Sequence, residues 1–158
     1  MKVKLTNSEM VMAALIGCRR HIASLKLKQA HGATDTWTIN IEGACGELAA
    51  AKALNLFWDG GVNTFSAPDL QPNIQVRTSS NHDWGLIVRR NDKDDEIFVL
   101  VTGVSPEFVV RGWIVGKSAK NNKWFRTYNN RPEAYFVPQS ALNPVGTLKA
   151  HLDSIPPF

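Results

Sequence analysis

The chain has 158 residues and a formal net charge of +4, with 44% hydrophobic and 20% charged residues. This length suits one domain, and the composition excludes a mainly disordered, collagen-like or coiled-coil chain. The charge is uneven, with sums of +5 over residues 1–34, −6 over residues 35–107 and +5 over residues 108–158. Such a layout is expected where carboxylates gather around a cation and basic flanks attract a polyanion, although solvated surfaces alone also produce it.

The sequence lacks the patterns of a disulfide framework, of a zinc site and of a membrane-spanning segment. Cys18 and Cys45 form no CxxC pair, and the four histidines are scattered singly, so neither a disulfide framework nor a zinc site is expected. No run of about 18 apolar residues occurs and no signal-peptide pattern is seen, so we predict a cytoplasmic protein without a membrane partner. Nucleotide-binding glycine loops of the GxxxxGK[ST] and GxGxxG types are absent.

The first predicted element is an amphipathic helix over residues 7–28. Thr6 and Glu9 have the spacing of a capping box. Apolar residues then recur at intervals of three and four, which predicts the apolar side of the helix: Val11, Leu15, Cys18, Ile22 and Leu25. Arg19 and Lys26 lie on roughly one face, where they would reach either solvent or a phosphate.

The alanine-rich residues 41–55 predict a second helix. From residue 60 onward the apolar period falls to two, which predicts strands at residues 73–78, 85–89, 97–101, 108–115 and 135–137. Helices followed by strands favour an α/β or α+β core with a mostly antiparallel meander. We expect a single domain, with a basic N-terminal helix in residues 1–34, a core in residues 41–137 and a C-terminal tail in residues 144–158.

Polar side chains in the first predicted strand form a candidate site. Side chains two residues apart share one face of a strand, so Gln75 and Arg77 point together. Ile74 and Val76 then point into the core. Asp69, six residues before Gln75, lies in a preceding arm from which its carboxylate could meet them.

Glu47 is a second candidate acid, in the alanine-rich helix. Burying a carboxylate among small apolar residues is costly unless the charge has a partner. A metal ion is a candidate for that partner.

The order of these residues resembles the PD-(D/E)xK nuclease superfamily. The resembling stretch begins with GELAAAKAL at residues 46–54, continues through Pro68 and Asp69 to IQVR at residues 74–77, and ends in the strand at residues 85–90. The resemblance covers the central third to half of the chain. It implies a restriction-endonuclease-like core, with N-terminal helices packed on a central mixed sheet.

Carried over residue by residue, the resemblance implies that Glu47, Asp69 and Gln75 hold Mg²⁺ or Mn²⁺. Gln75 stands where an acid is commonest, although an amide oxygen can still bind Mg²⁺. Arg77 stands where lysine is usual; it could hold the attacked phosphate but could not act as a base. The metal would lower the pKa of a bound water for phosphodiester hydrolysis. Glu42 is the alternative helix ligand.

A basic, aromatic segment between Glu107 and Glu133 contains no acid. Its cations would attract phosphates and its aromatics could stack on bases: Arg111, Lys117, Lys120, Lys123, Arg126 and Arg131, with Trp113, Trp124, Phe125 and Tyr128. Trp113 alternates with valines, which predicts a core position, whereas Trp124 and Tyr128 either stack on bases or plug a core edge. Six phosphate contacts would give a slope of log K against log salt near roughly −5.

These patterns lead to a hypothesis of a Mg²⁺-dependent nuclease, with nucleic acid as its partner, DNA rather than RNA, and a homodimer as a further candidate assembly. One alternative is a non-catalytic module of the same fold that binds nucleic acid or protein. Another is a small α+β accessory protein whose basic flanks keep it in solution.

Overall fold

Four α-helices and seven strands form a mixed α+β fold in the computed structural model, which describes residues 1–26, 35–62, 67–127 and 132–154. The helices are α1 (Asn7–Lys26), α2 (Thr36–Leu54), α3 (Gly116–Ala119) and α4 (Leu148–Asp153). The strands are β1 (Lys2–Lys4), β2 (Ile74–Ser79), β3 (Leu86–Arg89), β4 (Ile97–Val104), β5 (Glu107–Val115), β6 (Phe125–Arg126) and β7 (Ala134–Val137).

The strands form two sheets rather than one meander. The large sheet has the order β1-β5-β4-β2, and the small sheet has the order β3-β7-β6. The predicted antiparallel meander is confirmed for the β4–β5 hairpin and is wrong for β2, which pairs in parallel with β4. The chain leaves the large sheet after β2, forms β3 in the small sheet and returns, so β2 and β4 run in the same direction.

Both long helices begin at side-chain caps. The predicted capping box is confirmed, since the Thr6 N–H donates to Glu9 Oε2 at 2.6 Å and the Glu9 N–H donates to Thr6 Oγ1 at 3.3 Å. The predicted end of this helix at residue 28 lies outside the described residues. Helix α2 starts earlier than the predicted residue 41, because Asp35 caps it by accepting from the Thr38 N–H at 3.0 Å.

The apolar stripe of α1 faces solvent instead of the core. Of the five stripe residues, Cys18 is half-buried and the other four are exposed. The buried side of α1 carries Ala13, Gly17 and His21. A Cβ on Gly17 would lie 2.6 Å from the Cα of Ile41 in α2, so the two helices approach too closely for large side chains between them. The apolar spacing therefore predicted the helix correctly, but the expectation that its apolar side faces the core was wrong.

The large sheet is covered on both faces. Helix α2 covers one face, where Ala49, Ile74 and Val99 are buried together. On the other face, Phe98 and Leu100 pack against the small sheet. The predicted core position of Trp113 is confirmed. The region expected as a tail differs from the prediction, since it contains α4, whose Leu148 is buried in the core.

Gly46 allows α2 to approach β2 closely. A Cβ at this position would lie 2.7 Å from Thr78 Cγ2 and closer still to the hydroxyl oxygen. Gly46→Ala is therefore expected to lower the free energy of unfolding by about 1–3 kcal/mol through overpacking. Gly43→Ala is the matched control in the same helix, because nothing lies within 4 Å of its added Cβ. The control is expected to raise stability by about 0.5–1 kcal/mol, and equal effects in urea unfolding would contradict this account.

Candidate functional site

Glu47 is buried beside an arginine from the neighbouring helix. The residue is 7% exposed. The two guanidinium nitrogens of Arg20 lie 2.5 Å from Oε1 and 2.8 Å from Oε2, and the indole N–H of Trp58 donates to Oε2 at 3.0 Å. Arg20 is thus the charge partner that the buried Glu47 carboxylate requires. Their ion pair is bidentate, which is the strong geometry for an arginine and a carboxylate.

Arg20 also binds the loop that follows α2. Its Nε–H donates to the carbonyl oxygen of Gly61 at 2.8 Å, so one side chain of α1 joins α2 to this loop. We call residues 55–61 the site loop. Sequence reasoning missed both Arg20 and Trp58. The available signal was Glu47 itself, since a buried acid requires a cation and α1 is the nearest basic element in the chain.

Asp69 lies at the open edge of the large sheet. Leu70 and Ile74 exchange two backbone hydrogen bonds, of 3.0 and 2.9 Å, which reverse the chain and bring Asp69 alongside β2. The Oδ2 atom of Asp69 accepts from the N–H of Val76 at 2.8 Å. A carboxylate therefore takes the place of a neighbouring strand at this edge.

The pKa of Asp69 is raised to about 6, first by burial and then by the negative charge of Glu47. The hydrogen bond from Val76 and the positive charges of Arg77 and Arg20 oppose the rise. Because one carboxylate shifts the pKa of the other, the two acids interact electrostatically. A raised carboxylate pKa beside a specific charge partner is a common mark of functional sites.

Gln75 and Arg77 face the small-sheet side of the large sheet, as their alternation with Ile74 and Val76 predicts. The Gln75 amide N–H donates to Glu96 Oε1 at 3.1 Å. Arg77 pairs with Asp92 at 3.1 Å, and its guanidinium lies 5.2 Å from the centre of the Phe98 ring. Among the described residues, no hydrogen bond joins Gln75 to either Glu47 or Asp69.

The alternative helix acid, Glu42, serves a different contact. Its carboxylate accepts from the backbone N–H of Ser105 at 2.9 Å and from the Ser105 hydroxyl at 2.5 Å. These bonds tie α2 to the turn between β4 and β5. Of the two glutamates, Glu47 is the one whose charge is felt by Asp69.

The donor set of the site suits a hard cation in part. Glu47 and Asp69 offer carboxylate oxygens, which Mg²⁺ prefers, and their mutual repulsion is of the kind that a bound cation relieves. The third expected ligand, Gln75, is turned to Glu96. Within the described ranges, no group of three or more His, Cys, Asp or Glu side chains is placed to hold a metal ion.

The cations predicted to bind nucleic acid divide into exposed and internally bonded ones. Arg19, Lys117, Lys123 and Arg126 are exposed, and Lys123 lies 4.5 Å from the centre of the Trp124 ring. Arg111 donates to the Thr102 hydroxyl at 2.7 Å, and Lys120 binds the Asp94 carboxylate at 2.6 Å. Trp124 is half-buried against the small-sheet core. Tyr128, Arg131 and the side chain of Lys26 lie outside the described part of the chain.

Arg77 links Asp69 to the basic segment through its charge. The charge of Arg77 lowers the pKa of Asp69, its guanidinium pairs with Asp92 at 3.1 Å, and Lys120 donates to the backbone carbonyl of Asp92. The exposed Lys117 also belongs to this region, since its N–H donates to the carbonyl of Asp94 at 2.8 Å. The turn that contains Asp92 and Asp94 therefore connects Arg77 with Lys117 and Lys120 of the basic segment.

Comparison with protein-family models, with curated proteins and with solved structures found no match. Among the helices of the described residues, none is long and apolar enough to cross a membrane.

Proposed function

We propose that this chain is a Mg²⁺-dependent phosphodiester hydrolase on a restriction-endonuclease-like core, acting on DNA rather than RNA. The observation that carries the proposal is a pair of buried acids: Glu47 is 7% exposed beside Arg20, and burial first and the charge of Glu47 second raise the pKa of Asp69 to about 6. Two carboxylates that disfavour each other's charge, flanked by arginines, suit a site that takes a divalent cation and a phosphate. The order of Glu47, Asp69, Gln75 and Arg77 along the chain supports the same assignment.

In this proposal Glu47 and Asp69 hold the metal. Gln75 lies on the opposite face of β2 from α2 and donates to Glu96, so it is not a ligand in this arrangement. The metal supplies a bound water of lowered pKa and neutralises charge on the phosphate. Trp58 keeps Glu47 oriented through its 3.0 Å hydrogen bond. The positive charge of Arg77 acts on Asp69, whose pKa it lowers, although its guanidinium pairs with Asp92. In this proposal the same charge favours a bound phosphate and the charge that develops during hydrolysis.

A second candidate function is non-catalytic nucleic-acid binding by the same fold. It is favoured by Arg20, which already supplies Glu47 with a cation through both guanidinium nitrogens. In that case the ion pair is structural, and the neighbouring basic segment provides the contacts to phosphates.

The experiment that separates the two functions is a cleavage assay with pure protein. Linear, circular and single-stranded DNA, and RNA, are incubated with Mg²⁺, with Mn²⁺ or with chelator. The hydrolase is expected to cleave in either metal and to stop with chelator. Salt-sensitive binding without cleavage would support the non-catalytic module instead. If the protein neither binds nor cleaves any of these nucleic acids, both candidate functions are overturned.

The salt dependence of DNA binding tests which cations contact phosphates. Lys117, Lys123 and Arg126 are the exposed described cations of the basic segment. Three phosphate contacts predict a slope of log K against log salt near roughly −3, compared with about −5 for six. The slope is measured by fluorescence anisotropy of labelled DNA at several salt concentrations.

The matched variants compare two exposed lysines. Lys123→Gln is expected to reduce the magnitude of the slope by about one. Lys149→Gln, on α4, removes a lysine that lies outside the basic segment and should leave the slope unchanged. A slope that Lys123→Gln leaves unchanged would contradict the assignment of this lysine to the phosphate contacts.

A further inference from the structure

Phe57 is the most exposed large apolar side chain among the described residues. It is 84% exposed, compared with 62% for the next, Leu25. It lies in the site loop, between Leu56 and Trp58, which both pack against the core. Leu56 and Trp58 therefore pack inward, whereas the ring of Phe57 between them points outward.

The site loop is fastened on both sides of Phe57. Before it, the Leu56 N–H donates to Ala51 O at 2.9 Å. After it, Trp58 donates to Glu47, and Gly61 accepts from Arg20 at 2.8 Å. An exposed ring on a loop held in this way loses little conformational freedom when it binds a flat ligand.

Phe57 is connected to the candidate site through its chain neighbour Trp58, whose indole donates to Glu47. The Cα atoms of consecutive residues are about 3.8 Å apart, so Phe57 is one peptide unit from the residue that contacts Glu47. We propose that Phe57 stacks on an unpaired base of the nucleic acid whose backbone occupies the site, so that single-stranded or locally unpaired segments are the substrate class. This inference rests on the proposed function for the position of the phosphate. Aromatic stacking on bases tolerates any base sequence, because every base has a π-face.

The test compares Phe57→Ala and Phe57→Trp with Trp84→Ala. Trp84 is also exposed. It precedes β3, whereas Asp92, which pairs with Arg77, follows β3. The substrate is a single-stranded oligonucleotide that carries 2-aminopurine, whose fluorescence falls on stacking with an aromatic ring. Affinity and cleavage are measured on this strand and on its duplex. Since Phe57 is exposed, its replacement should leave the melting temperature unchanged.

We expect Phe57→Ala to abolish the fluorescence change and to weaken single-strand affinity about 5- to 150-fold, with little effect on the duplex. Phe57→Trp should retain both properties, and Trp84→Ala should behave as wild type. Cleavage by the wild type with no effect of Phe57→Ala would overturn the stacking inference and leave the hydrolase standing. Stacking that depends on Phe57 without cleavage would overturn the hydrolase alone. If neither Phe57-dependent stacking nor cleavage is observed, the stacking inference and the hydrolase are both overturned.

Discussion

Asp69→Asn is expected to reduce Mg²⁺-dependent cleavage by at least about 100-fold while the fold stays intact. Loss of a hydrogen-bond partner of a metal ligand commonly costs about 10- to 100-fold, and loss of a ligand charge should cost no less. The Val76 N–H donates a hydrogen bond to Asp69 at 2.8 Å, and the side-chain oxygen of asparagine can accept the same bond. Activity is measured with Mg²⁺ on the substrate that wild type cleaves. Undiminished cleavage by Asp69→Asn would remove this residue from the site.

The same substitution predicts a change in how stability depends on pH. The folded-state pKa of Asp69 is about 6, above its ordinary value of 3.8, so the folded protein binds the proton more tightly than the unfolded chain. Wild type should therefore lose stability as pH rises from about 4 to about 6, by up to about 3 kcal/mol, relative to Asp69→Asn. Urea unfolding of both proteins across this range measures the difference. Parallel pH profiles would contradict the raised pKa.

Cleavage itself should rise with pH through about 6. A carboxylate must lose its proton to bind a metal ion, so the ionised form of Asp69 is the active one. High Mg²⁺ should move this pH dependence downward, because the metal competes with the proton. A profile that does not respond to the Mg²⁺ concentration would separate Asp69 from the metal.

The second large effect is expected for Arg20→Met, which leaves the buried Glu47 carboxylate without its guanidinium. Removing one partner of a buried ion pair costs about 3–5 kcal/mol. Arg19→Met is the control, because the neighbouring arginine is exposed and takes part in no ion pair of the described residues. Its effect should stay within about 0.5 kcal/mol. Equal urea midpoints for the two variants would contradict a structural role for the Arg20–Glu47 pair.

A double-mutant cycle and added metal then distinguish the two candidate functions. Arg20→Met with Glu47→Gln should be more stable than Arg20→Met alone, because no uncompensated charge remains. If Glu47 and Asp69 bind Mg²⁺, added Mg²⁺ should stabilise Arg20→Met more than wild type and should not stabilise the double variant to that extent. An identical response of all three proteins would favour the non-catalytic module.

The predicted elements were right wherever the local pattern and the packing required the same arrangement. The capping box of Thr6 and Glu9 and the alternation of β2 are confirmed, since each depends on residues close in sequence. The predicted orientation of the apolar side of α1 was wrong. The expectation that large apolar residues face the core takes no account of how closely two helices approach each other. Gly17 allows α1 to lie against the backbone of Ile41, and small residues fill that interface instead.

The surroundings of the candidate residues were predicted only in part for a related reason. Glu47 and Asp69 stay a predicted pair, and the charge of Glu47 contributes to the raised pKa of Asp69. Arg20 was missed because a lysine or arginine on a helix is ordinarily a solvated residue, and its partner is 27 positions away. The distant contact follows from the packing of α1 on α2, which no local pattern encodes. Gln75 was placed on the correct face, but its contact with Glu96 depends on the return of the chain after β3.

The hydrogen bond from Val76 to Asp69 makes one backbone amide a reporter of the site. The amides of a central strand are bonded to other backbones and exchange with solvent when the sheet opens. At Val76 the acceptor is instead a side chain that titrates near pH 6. Its exchange rate should therefore follow the proton and ligand occupancy of Asp69 more closely than the opening of β4 and β5. Hydrogen exchange at this single position would therefore register an event at the carboxylates.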